Sequence, residues 1–105
     1  MKHIPVACTL DTAAMARRQE ELRAGVLSLC SKVESLPDGI RWEFPASADL
    51  LSRLGAVLDA ERLCCRFLRV VITAEPDGGL TAVEVTGPPG TAELLAEWLP
   101  EGMRP

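Results

Sequence analysis

The sequence predicts an α+β two-layer sandwich: a mostly antiparallel sheet of about four strands with helices on one face. The order is β-α-β-α-β-β-α, and residues 1–105 form a single domain. Three observations carry this expectation. Two segments of period two, residues 3–10 and 40–44, alternate with two segments whose apolar residues recur at helical spacing. Pro- and Gly-bearing turns separate them. A β-branched run, Phe67 to Ala74, is then followed by Pro76-Asp77-Gly78-Gly79 and a returning run, Leu80 to Thr86, which is a hairpin pattern.

In the first strand, Ile4, Val6, Cys8 and Leu10 share one face, and Pro5 suits an edge or an early strand position. Cys8 therefore points to the core. Asp11 or Thr12 supplies a helix N-cap. The stripe that follows runs Met15, Leu22, Val26, Leu29 and Val33, with Arg18 on the same face and Cys30 one turn after Val26. An arginine in an apolar stripe needs a route to solvent or a buried partner. Leu36-Pro37-Asp38-Gly39 is a turn in which Pro fixes φ and Gly permits a positive one. Ile40, Trp42 and Phe44 alternate with Arg41 and Glu43 as the next strand. Ser47 caps the second helix, whose stripe is Leu50, Leu51, Leu54, Val57, Leu58, Glu61 and Cys65. The run from Phe67 reads as a central strand. Thr91 caps a last short helix with Leu94, Leu95, Trp98 and Leu99 facing inward.

Hydrophobic residues make up 48% of the chain, enough for a core without disulfide staples. A net charge of −4, with arginines spread along the chain, argues against a nucleic-acid binder. No apolar run approaches a membrane span, and Met1 to Val6 is too short for a secretory signal. The expectation is a cytoplasmic protein in which the cysteines are reduced thiols.

The chemistry concentrates at Glu61-Arg62-Leu63-Cys64-Cys65-Arg66-Phe67-Leu68. Adjacent thiols hold two sulfurs close together, which suits thiophilic ions of low coordination number: mercury, arsenite, cuprous copper, or zinc with outside ligands. The spacing is not that of a zinc knuckle. Cys8, inward from the first strand, is the natural third sulfur. Glu61 lies one helical turn before the pair and offers a carboxylate ligand, a proton acceptor or an anchor for Arg18. Against this stands the plainer reading, in which Cys64, Cys65 and Cys8 are small packing residues and Glu61 pairs with Arg18. Cys30 reads as a packing residue and His3 as no ligand. The prolines of Gly87-Pro88-Pro89-Gly90 remove the donors an anion cradle needs, and no Ser/His/Asp constellation exists.

These segments resemble a family of small bacterial proteins that share an "A-C-T-L" strand, an "R-R-x-E-L" helix, "L-P-D-G-x-R-x-x-F-P", "E-x-x-C-C-P-F-L" and "x-T-G-P-x-G-x-x-E-x-L". Here the motifs stand as Ala7 to Leu10, Arg17 to Leu22, Leu36 to Pro45, Glu61 to Leu68, and Thr86 to Leu95. The Glu61–Leu68 segment is also similar to C-terminal extensions of some mercury-resistance-type metal-responsive regulators. That likeness implies a heavy-metal context and points to Cys8, Cys64, Cys65 and Glu61. Arg66 stands where the family has Pro, which lets the helix run on by a residue.

Three readings follow. The first is a protein that binds a soft metal ion through Cys8 and the Cys64–Cys65 pair. The second is a non-catalytic interaction domain that forms a homodimer through an apolar patch or a strand edge. The third, ranked last, is a thiol-dependent detoxification enzyme with Glu61 as proton carrier.

Overall fold

The computed structural model describes residues 13, 14, 17, 20, 21 and 25–96, the side chain of Cys64 excepted. The strand expected over residues 3–10, with His3 and Cys8, lies outside the described residues, as do Met15, Arg18, Leu22, Trp98 and Leu99. The described elements are a 3-10 turn at Val26–Leu29, β1 (Lys32–Leu36), β2 (Gly39–Phe44), α1 (Leu50–Cys64), β3 (Arg69–Ala74), β4 (Thr81–Thr86) and α2 (Thr91–Ala96). They form the expected α+β arrangement around a four-stranded antiparallel sheet of order β1-β2-β4-β3. No helix among the described residues is long and apolar enough to cross a membrane.

The first helix is shorter than its apolar stripe suggests. Ala13, Ala14, Arg17, Glu20 and Glu21 are helical, and the Gly25 N–H closes a last turn on the Glu21 carbonyl at 2.8 Å. One 3-10 turn follows, and Cys30 then swings to extended backbone (φ −67, ψ 136). Val33 is therefore in a strand, not on the helix. Lys32-Val33-Glu34-Ser35-Leu36 also alternates, and pairing it across the Pro37–Asp38 turn satisfies its backbone groups against β2. The long-range partner overrides the helical period.

The register places Trp42 opposite Val83, Ile40 opposite Val85 and Phe44 opposite Thr81. These buried residues make the face that α1 and α2 cover, joined there by Leu50, Leu54 and Leu95. The other face carries charge: Arg41 lies opposite Glu84, and its guanidinium reaches Glu43 at 3.3 Å and Glu84 at 3.8 Å. On β1 the Lys32 ammonium meets Glu34 at 2.9 Å. Burying one large aliphatic or aromatic side chain stabilises by about 1.5–3 kcal/mol, whereas an exposed ion pair contributes about 0–1. The helix-covered face, not the charged one, holds the sheet.

Four local expectations change. Gly39 has no positive φ; its missing side chain makes room for β4. The α1 cap is Asp49, not Ser47, in left-handed backbone (φ 62, ψ 9) and without a side-chain hydrogen bond. Leu51 is exposed, because Leu50 and Leu54 occupy the inward direction of the first turn. Thr91 is the first helical residue of α2, and its hydroxyl donates to the Pro88 carbonyl at 2.6 Å instead of capping. The strand read as central, β3, lies at one end of the sheet order among the described residues. The hairpin loop before β4 is as expected, with Asp77 (φ 57) and Gly78 (φ 72) turning the chain and the Glu75 N–H bonded to the Leu80 carbonyl at 3.0 Å.

Candidate functional site

Helix α1 delivers the vicinal cysteines at its C-terminal end. Cys64 is its last residue and Cys65 its cap (φ −115, ψ 80). The Cys65 N–H closes the final turn on the Glu61 carbonyl at 2.6 Å. The Leu68 N–H then bonds the Cys65 carbonyl at 3.2 Å, so Cys65-Arg66-Phe67-Leu68 is a tight turn that sends the chain into β3. Phe67 and Leu68 are buried and pin this turn to the core.

Arg66 does not extend the helix. It is the exposed second residue of the turn, the position at which proline is favoured because its ring presets φ. The proline of the resembling family fits this geometry. Arg66→Pro is therefore expected to stabilise the fold by about 0.4–1 kcal/mol through the unfolded state. A urea midpoint that falls instead of rising would show that the turn differs.

Glu61 and Cys65 are both buried, at 1% and 0% exposure, one helical turn apart. Their place on the inward stripe is as the sequence implied. The third sulfur, Cys8, and the partner suggested for Glu61, Arg18, lie outside the described residues, and so does the side chain of Cys64. Among the described residues, no group of three His, Cys, Asp or Glu side chains could hold a metal ion. They do place one carboxylate and one thiol, Glu61 and Cys65, a single turn apart on the inward side at the end of α1.

Cys30 sits in surroundings of its own just before β1. Its sulfur donates to the Lys32 carbonyl at 3.2 Å, and it packs half-buried against the core edge. Burial pushes its thiol above the ordinary value, with the backbone at Lys32 opposing. A thiol so held is a poor nucleophile at neutral pH, in keeping with a packing role.

One feature was not readable from sequence. A cavity of about 30 Å³ lies between the sheet and α1, lined by Trp42, Phe44, Leu54, Leu58, Val83 and Glu61 among others. Its walls are apolar, so water finds few partners there. The buried Trp42 Nε1 has no hydrogen-bond partner among the described residues. Glu61 thus borders both the thiol end of α1 and this cavity.

Comparison of the chain with protein-family models, with curated proteins and with solved structures finds no match.

Proposed function

We propose that the protein binds a soft metal ion at the end of α1, through Cys64 and Cys65 with Cys8 as the third sulfur and Glu61 as the neighbouring carboxylate. Mercury, arsenite, cuprous copper and zinc are the candidate ions. The observation that carries the reading is Glu61, a carboxylate at 1% exposure one turn ahead of two adjacent thiols. Glu61 precedes the two thiols by three and four residues, a spacing that sets the carboxylate on their side of the helix. The likeness of Glu61–Leu68 to extensions of metal-responsive regulators supports a sensing or sequestering role in the cytoplasm. Function here is binding, with the thiolates as ligands.

The test is native mass spectrometry of the reduced protein titrated with each ion, beside a Cys64→Ser/Cys65→Ser variant. The wild type is expected to take up one ion stoichiometrically. The variant should lose more than about 100-fold in affinity, beyond the 10–100-fold typical of losing an outer-shell partner. Wild-type affinity in the variant rejects the site, and an unchanged affinity in Cys8→Ser removes the third sulfur.

A further inference from the structure

We propose that β3 is the contact strand of a symmetric homodimer, pairing antiparallel with β3 of a second copy about Ile72. The two ends of the sheet differ in a way that bears on this. At one end, β1 presents Lys32 and Glu34, the charges with which edge strands are commonly protected. At the other, β3 presents Val70, Val71, Ile72, Thr73 and Ala74 in an unbroken run. Val71 and Ile72 are 40% and 41% exposed, and β4 is the only strand paired with β3 among the described residues.

The hydrogen-bonding groups of β3 fix which register a second copy can take. The Glu75 N–H bonds back to Leu80, beyond the β4 end of the hairpin. Backbone groups alternate sides along a strand, so Val71 and Thr73 also face β4, while Val70, Ile72 and Ala74 aim their N–H and C=O groups outward. Two copies related by a two-fold axis must therefore pair outward residues with outward residues. When Ile72 faces its own copy, Val70 faces Ala74, and Arg69 of each chain faces Glu75 of the other. A shift by two residues one way sets Glu75 against the apolar Phe67. The other shift sets it against Val71 and moves Arg69 to Asp77, which has left the strand in the hairpin turn. Only the Ile72-centred register gives opposite charges at both ends.

That register also keeps the faces matched. Ile72 and Val70 lie opposite Val83 and Val85, on the helix-covered face, so the apolar residues of both copies form one stripe across the joint. Arg69, Val71, Thr73 and Glu75 share the charged face. Among the described strands, the sheet becomes continuous through the dimer, its exposed apolar strand becomes internal, and the charge-protected β1 edges stay outermost.

The experiment is sedimentation equilibrium of the full chain, reduced and with a chelator present. The wild type is expected at twice its 11.3 kDa mass. Arg69→Glu or Glu75→Arg each set like charges opposite at both ends of the joint, and each should weaken the dimer on the order of tenfold or more. The Arg69→Glu/Glu75→Arg double variant should restore it, and circular dichroism should show all three folded, since both positions are exposed. A wild type that stays monomeric at its highest soluble concentration overturns the proposal. So does a dimer that Arg69→Glu leaves unchanged, or single-variant losses that the double variant fails to recover. The Cys64→Ser/Cys65→Ser variant should dimerise like the wild type, so loss of metal binding and loss of dimer are told apart.

Discussion

Phe44→Ala is expected to cost about 3–5 kcal/mol, most of the stability of a domain whose total is typically about 5–15. Phe44 ends β2 at 1% exposure, opposite Thr81, and its ring meets the space between sheet and α1. Truncation costs the transfer energy of the ring and adds a void the surroundings cannot fill. Here the void would open onto a cavity that already exists, so partial collapse recovers little. The pairing of β2 with β1 and β4 holds the backbone in place and prevents it from following the shortened side chain. In urea the midpoint should fall with an unchanged m-value. Leu63→Ala, at a position 78% exposed, is the matched control and should stay within about 0.5 kcal/mol of wild type. A Phe44→Ala loss no larger than the control's would mean that the core does not run through β2.

The residues that sequence placed correctly are those whose neighbours along the chain decide their environment. Ile40, Trp42 and Phe44 alternate with charged residues, and one face of β2 is buried as that pattern requires. Glu61 and Cys65 follow the spacing of Leu50 and Leu54, and all four are inside. Gly78 and Gly79 mark the β3–β4 hairpin. What sequence misplaced depends on partners distant in the chain. Lys32–Leu36 fits the tail of a helical stripe and a strand almost equally well, and only its pairing with β2 decides between them. Val70 to Thr73 has the composition of an interior strand, yet among the described strands it comes last in the sheet order, because β-branched content fits a pleated surface without saying what lies beside it. The candidate site divides the same way. Its helix end was legible, while convergence with Cys8 is a long-range question that no local pattern answers.

Gly39→Ala is the second large expected effect, and its reason is close approach rather than backbone conformation. Gly39 begins β2 with an ordinary φ, paired with Leu36 on one side and Thr86 on the other. A Cβ there would run into the Val85 carbonyl oxygen and lie 2.8 Å from the Thr86 Cα. Both obstacles are β4 backbone, which cannot rotate away as a side chain would. Relief requires moving the β1–β2 hairpin off β4, and with it the Gly87 N–H bond to the Asp38 carbonyl at 3.0 Å. The expected cost is about 3 kcal/mol, the upper end of the overpacking range. The opposite sign is expected at Gly55, inside α1, where a Cβ meets nothing within 4 Å. Gly55→Ala should stabilise by about 0.5–1 kcal/mol, because alanine loses less backbone entropy on entering a helix. Urea titrations of the two variants side by side check both signs. Equal effects would mean that β2 and β4 are not as close as their register places them, and the sheet order β1-β2-β4-β3 would then need revision at its central pair.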